Sequence, residues 1–282
     1  MNRLSIEKRV QIITLLVEGC SIRSTCRIAD VSKNTVTKLL VDVGRACEKF
    51  HDETVKGIKA ERVQADEIWS FVYAKDKNAS DEMKEKGTAG DVWTWTAIDA
   101  NSKLIVSWHV GNRDAESAHI FMNDVASRLS HKVQLTTDGL HAYLEAVDDA
   151  FALDIDYAQL VKIYGSSEGN TGTEKRYSPA RYTSSKKKII SGEPNDKFIS
   201  TSYIERQNLT MRMHMRRFTR LTNAFSKKLD NHCHAIALHF VYYNFVKIHS
   251  SLRVPPAMQA GLIKRLMTIE DIVRLTDKKT GN

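Results

Sequence analysis

Three strand-like segments follow one another closely after residue 62, and a helix, a strand, a helix and a further strand come next. That order constrains the fold more than any other feature of the chain. Residues 63–73 (VQADEIWSFVY) are rich in aromatic and β-branched side chains, which suit a pleated, half-buried surface. Residues 92–99 and 103–110 read the same way and are joined by a tight turn at Ala100-Asn101-Ser102. Asp114 is placed to cap a helix over 115–129, whose apolar face carries Ile120, Phe121, Val125 and Leu129. A fourth strand, 132–137, ends at Asp138-Gly139. A helix over 140–152 and a strand over 157–163 complete the series.

Strands that can pair antiparallel, followed by helix-linked strands, predict an α/β domain with a ribonuclease H-like mixed sheet and flanking helices. The domain is expected over 63–250, with a tail at 251–282. Within it, 165–197 is polar, includes Lys186, Lys187 and Lys188, and reads as an exposed basic loop. A helix is expected over about 202–218 and another over about 223–247.

Residues 1–50 read differently. Ile6, Val10, Ile13, Leu16 and Val17 recur at helical spacing and Gly19 stops the helix. Ser21 and Ser32 are plausible N-caps for a short second helix and a longer third, separated by a turn at Asp30-Val31. This is the order of a helix-turn-helix domain, although any small three-helix bundle shares it. The start of the third helix offers Lys33, Asn34, Thr35 and Lys38, side chains suited to phosphates and base edges. The polar stretch 51–62 reads as a linker.

The chemistry is carried by carboxylates. Cleaving and joining phosphodiesters calls for two hard cations held close together, one activating the nucleophile and one stabilising the leaving oxygen. Magnesium takes oxygen ligands and retains waters, so a few Asp and Glu residues suffice. Asp66 lies in the first strand and Asp138 at the end of the fourth, strands that neighbour each other in this topology. Glu205 sits on the late helix, beside an apolar stripe of Ile204, Met211, Met215 and Phe218, with Asn208, Arg212 and Arg216 on the same flank. Glu67 adjoins Asp66 and faces the other side of the strand; the residues alone leave the choice between them open.

The stretches QADEIWSFV, TTDGLHAY and YIERQNLTMRMHMRRFTR resemble the three catalytic blocks of bacterial insertion-sequence transposases of the DDE type, closest to the family named for insertion sequence one. The tail HFVYYNFVKIHSSLRVPPAMQAGL, with Asn244, His249, Pro255 and Pro256, is similar to the ending common in such enzymes. The resemblance covers most of 63–262. It implies Asp66, Asp138 and Glu205 as ligands of two magnesium or manganese ions, a basic residue at Arg212, and a homodimer or larger assembly on DNA. It further implies double-stranded DNA as partner, both the element's terminal inverted repeats and the target. Members of that family often carry an N-terminal zinc-binding segment. Here the chain opens on helices, and Cys20, Cys26, Cys47 and Cys233 lack zinc-finger spacing, so no zinc is expected.

The charge balance agrees with an anionic partner. The net charge is +8, and 12 Lys or Arg stand against 3 Asp or Glu between Arg181 and Lys228, around Glu205. A DNA-binding regulator without activity would share the charge and the helices, and a plain nuclease would share the carboxylates. No secretory signal is read at the start and no apolar run approaches the roughly 20 residues that span a bilayer. The expected place is the cytoplasm, at the nucleoid when DNA is bound. Asp99 could join the acidic pocket or serve its own turn. His249 could meet a phosphate or a structural partner.

Overall fold

The computed structural model describes residues 4–152, 154–165, 181–219 and 222–277. Its elements are α1 (Ile6–Val17), α2 (Ile22–Ala29), α3 (Lys33–Thr54), β1 (Arg62–Val72), α4 (Asp81–Glu85), β2 (Gly90–Asp99) and β3 (Ile105–Gly111). There follow α5 (Ala115–Arg128), β4 (Gln134–Thr137), α6 (Ala142–Phe151), β5 (Asp156–Gly165), β6 (Arg181–Ser191), α7 (Ser202–His214), α8 (Leu229–Phe245), α9 (Pro256–Gln259) and α10 (Ile269–Arg274).

Among the described residues the strands form one mixed sheet in the order β3-β2-β1-β4-β5-β6. β1, β2 and β3 are antiparallel neighbours, β1, β4 and β5 are parallel, and β6 returns antiparallel along β5. This is the ribonuclease H-like sheet, with a helical region before it. The parallel pairs are linked by α5 and α6, as parallel strands require a crossover. Asp114 caps α5 by accepting from Ser117 N at 2.9 Å. Trp95, fully buried, packs against Phe121 of α5 and Tyr143 of α6, which fixes both helices on one face. Asp99 serves the β2–β3 turn: its carboxylate accepts from Asn101 N at 3.0 Å and Ser102 N at 3.1 Å.

The segment expected as a linker is part of the core. α3 continues to Thr54, and the chain beyond it buries Val55, Ile58 and Ala60. His51 Nε2 lies 3.2 Å from the Ile105 carbonyl, and Arg128 of α5 donates to Asp52 at 2.6 Å and to the Val55 carbonyl at 3.2 Å. α3 also lies along α8, so closely at Gly44 that a Cβ there would stand 2.4 Å from His234 Cβ. The apolar residues of α1 and α3 therefore belong to the same buried cluster as those of the sheet and α8. The letters of 51–62 are polar, but the few apolar ones fall where the helix meets the sheet.

Three further boundaries differ from expectation. Residues 181–191, read as part of a basic loop, form β6, an edge strand whose Ser and Lys side chains are largely exposed. Lysines are a common way to blunt an exposed sheet edge, and so this strand lacks the apolar alternation by which strands are recognised. The helix expected over 202–218 ends at His214. Met215 turns to an extended conformation (φ −122°, ψ 101°) before a short 3-10 turn at Arg216–Phe218. α8 likewise begins later than expected, at Leu229.

The tail is structural where the sequence is most distinctive. Asn244 Oδ1 accepts from Ile105 N and its Nδ2 donates to the Ile105 carbonyl, both at 2.9 Å. One amide thus satisfies both backbone groups at the start of β3. His249 Nδ1 lies 3.0 Å from Ser251 Oγ, and Pro256 opens α9 at a position that needs no N–H. Among the described residues no helix is long and apolar enough to cross a membrane.

Candidate metal centre at the ends of the central strands

β1 and β4 run parallel with Gln64 level with Thr136. Two residues further along each chain are Asp66 and Asp138, so the register alone brings these carboxylates side by side. β4 stops at Thr137, and the chain turns through Gly139, where a Cβ would stand 3.1 Å from Val161 Cγ2. Asp138 Oδ1 accepts from Leu140 N at 2.9 Å, which holds the side chain at the strand end. Asp66 accepts from Glu67 N at 2.9 Å through Oδ1 and from Asn208 Nδ2 of α7 at 2.8 Å through Oδ2.

Glu67 points to the other face of β1, as alternation demands. Its Oε1 accepts from Arg113 Nε at 2.8 Å and lies 2.7 Å from Nη2, while Tyr143 donates to Oε2 at 3.1 Å. Arg113 also stands over the Trp93 ring at 4.8 Å, with Nη2 3.9 Å from Asp138 Oδ2. Although they leave opposite faces of the strand, Asp66 and Glu67 can each place one oxygen with one of Asp138, all within 4.8 Å of one another.

The cluster is short of positive charge. Burial pushes the Asp66 carboxyl up to about 8, and the charges of Glu67, Asp138 and Glu205 push in the same direction. Burial and the Asp138 charge raise Glu67 to about 7, against the pull of Arg113. Burial, with the same carboxylates, lifts the Tyr143 hydroxyl well above its ordinary range. The donors are all carboxylate oxygens, the set that suits a hard divalent cation and not a soft one. Nearby, the buried Asn208 Oδ1 has no hydrogen-bond partner among the described residues. The residues present fit magnesium or manganese.

Glu205 lies on the first turn of α7 but outside that group of three oxygens. Its Oε2 is 2.5 Å from Lys162 Nζ of β5, and Oε1 accepts from the Thr201 hydroxyl. α7 is aimed at β1 by Gln64, whose Oε1 accepts from Tyr203 N at 2.8 Å and Ile204 N at 3.1 Å, two otherwise open donors at the helix start. Gln64 and Asp66, two apart on β1, thus hold one helix between them, one at its end and one through Asn208.

Sequence reasoning missed Gln64, Arg113 and Lys162. Alternation could have put Gln64 on the face of Asp66, but nothing local marks Arg113 or Lys162, whose partners lie 46 and 43 residues away. Of the expected DNA contacts, Lys33 and Asn34 are exposed at the start of α3 and Thr35 is half-buried, its hydroxyl 2.9 Å from Ser32 Oγ. Lys38 pairs with Asp42 at 2.5 Å. Lys186 and Lys188 are exposed on β6, while Lys187 is bound to the carboxylate of Asp196 at 2.7 Å. Arg212 is half-buried near the end of α7, and Arg216 is exposed in the 3-10 turn beyond it, off the helix that was expected to carry it.

No protein-family model matches the chain, and no curated protein matches it in sequence. Among solved structures it is similar to a piggyBac transposase synaptic complex with hairpin DNA, at 10% identity and a TM-score of 0.43, over 97% of this chain and 71% of that one. A second likeness is to a pre-cleavage Mos1 transpososome, at 14% identity and a TM-score of 0.25, over 56% of this chain and 60% of that one.

Proposed function

We propose that this chain is a DNA transposase of the DDE type that hydrolyses phosphodiesters at the ends of an insertion sequence and joins the freed 3′ hydroxyls to target DNA. The observation that carries this reading is the convergence of Asp66, within β1, and Asp138, just past the end of the neighbouring parallel β4, with Glu205 on the helix that Gln64 and Asn208 fasten across them. The resemblance of these three blocks to insertion-sequence transposases of the family named for insertion sequence one supports it independently.

In this reading Asp66, Asp138 and Glu205 hold two magnesium or manganese ions. When bound, the ions supply Lewis acidity to the attacking and leaving oxygens. The chain's own residues do the positioning. Asn208 and the Glu67 amide orient Asp66, the Leu140 amide orients Asp138, and Thr201 orients Glu205. Arg113 and Tyr143 keep Glu67 in place beside them. The helix-turn-helix formed by α2 and α3 reads the terminal inverted repeats with Lys33, Asn34, Thr35 and Lys38. Lys186, Lys187, Lys188, Arg212 and Arg216 hold the duplex phosphates. Two element ends call for at least a homodimer on DNA, working in the cytoplasm at the nucleoid.

The test is a cleavage and joining assay with purified protein, DNA bearing the flanking terminal repeats, and magnesium or manganese. Joined products that vanish in Glu205→Gln support the reading. Cleavage without joining indicates a nuclease of the same fold, and specific binding without any product a regulator.

A further inference from the structure

This inference rests on the DNA reading above and concerns the last two strands. β5 pairs with β4 only as far as Thr137↔Gln159. From there to Gly165 it pairs, among the described residues, with β6 alone. The sheet thus runs on as a two-stranded ribbon past the end of β4, where Asp138 sits.

The two faces of the ribbon are distinct. Lys162 meets Glu205 of α7, whereas Val161 meets Gly139 on the opposite side. By alternation Tyr164 shares the Lys162 face, roughly 7 Å further along the strand. Tyr182 pairs directly with Tyr164, and their rings lie 6.4 Å apart at 77°. A register shift between Ile163 and Tyr164 gives β6 one extra residue at this point. Strict alternation down β6 would send Tyr182 to the face of Ser184 and Lys186; the bulge re-aims it beside Tyr164. Both rings are about half exposed, 55% for Tyr164 and 54% for Tyr182. They form an aromatic pair presented to solvent, on the face of the ribbon that leads down to Lys162 and the carboxylates.

We propose that this face of the ribbon is a track for a single unpaired DNA strand leading into the metal centre. Lys162 exchanges Glu205 for a backbone phosphate, and one ring of the Tyr164–Tyr182 pair, which stand at 77° to each other, stacks on a neighbouring base while the other meets the edge of that base. An unpaired strand is required, because within a duplex each base face is covered by the next base. Aromatic side chains bind such strands through the π-faces that every base offers. The exchange at Lys162 also releases Glu205 for the cation.

Affinity is measured by fluorescence anisotropy on the full chain, with calcium replacing magnesium so that binding is read without cleavage. The probes are a duplex with a thymidine 3′ overhang and the same duplex blunt-ended. Tyr164→Ser/Tyr182→Ser is expected to lose about tenfold in affinity for the overhang DNA and to stay within about twofold of wild type on the blunt duplex. Tyr164→Phe/Tyr182→Phe keeps the rings and is expected to bind both as wild type does. Lys162→Met is expected to lower the slope of log affinity against log salt by about 0.7 on the overhang probe. Overhang binding that is unchanged in the double Ser variant overturns the proposal, as does an equal loss on both probes. If wild type binds neither probe, the DNA reading itself fails.

Discussion

Asn208 Nδ2 donates to Asp66 Oδ2 at 2.8 Å, across 142 residues of chain. This bond ties the helix that carries Glu205 to the strand that carries the first carboxylate, and Asn208 is almost wholly buried. Replacing it with Ala leaves Asp66 with one donor fewer. Leaving a buried hydrogen-bonding group without its partner costs about 1–3 kcal/mol, so Asn208→Ala should lower stability by roughly 1–3 kcal/mol in urea unfolding. It should also weaken manganese binding in a titration followed by electron paramagnetic resonance. An Asn208→Ala protein with unchanged manganese affinity would show that the bond does not orient Asp66.

Asp66 and Glu67 are neighbours with different surroundings, and the account assigns them different roles. Asp66→Asn should reduce strand cleavage by at least about a thousandfold, the scale on which an essential electrostatic partner acts. Glu67→Gln should retain measurable cleavage, because a Gln amide can still bond Tyr143. Arg113→Met removes the cation beside Glu67 and should destabilise the fold by roughly 1–3 kcal/mol, which Glu67→Gln in the same chain should partly restore. Steady-state cleavage rates and unfolding curves decide both points.

The pH dependence follows from the charge deficit. Asp66 rises to about 8 in the folded chain, while an unfolded aspartate titrates near ~3.9. Between those values the folded state holds a proton that the unfolded state has released. Stability from this group is therefore complete below the unfolded value and is lost as pH rises toward 8. Glu67, raised to about 7, acts in the same direction. The buried His232 and His239, held low by burial, act in the opposite direction below about pH 6.5, so the comparison is made against Asp66→Asn. With chelator present, the melting temperature of wild type relative to Asp66→Asn should fall between pH 5 and pH 8, and magnesium should raise that of wild type most at pH 8. A difference between the two proteins that stays flat or rises over this range in chelator would contradict the reading.

Gly44 tests the joining of the N-terminal helices to the sheet. Ala is favoured over Gly in a helix interior by about 1 kcal/mol, so Gly44→Ala should stabilise an isolated α3. In this chain the new Cβ would meet His234 Cβ at 2.4 Å, its carbonyl oxygen at 2.6 Å and its Cα at 2.7 Å. Backbone atoms cannot yield cheaply, and overpacking costs about 1–3 kcal/mol. The net effect should be destabilising, with a single unfolding transition for the whole chain. A stabilised variant would mean that α3 and α8 are free to separate.

Much of the fold could be read from short-range pattern. The strand at 63–73, the turn after Asp99, the capped α5 and the placement of Asp138 at a strand end all rest on residues within a few positions of one another. What escaped reading depends on partners far away. β6 is held by β5 and presents Lys and Ser at an open edge, so its sequence resembles a loop. Residues 51–62 look polar because, besides the buried His51, Val55, Ile58 and Ala60 are what meets the core. α7 breaks at Met215 although its apolar spacing continues to Phe218. At the site, the carboxylates at 66, 67 and 138 stand out by type and setting, although the residues alone leave the choice between Asp66 and Glu67 open, and Arg113 and Lys162 are cations in unremarkable surroundings until the fold brings them to Glu67 and Glu205.

We expect Asp66, Asp138 and Glu205 to hold divalent cations, and anomalous scattering from crystals soaked in manganese decides the point. Manganese peaks are expected beside Asp66 and Asp138 and within reach of Glu205, and the first of these is expected to be lost in Asp138→Asn. Crystals that take up manganese elsewhere while these carboxylates bind none would contradict it.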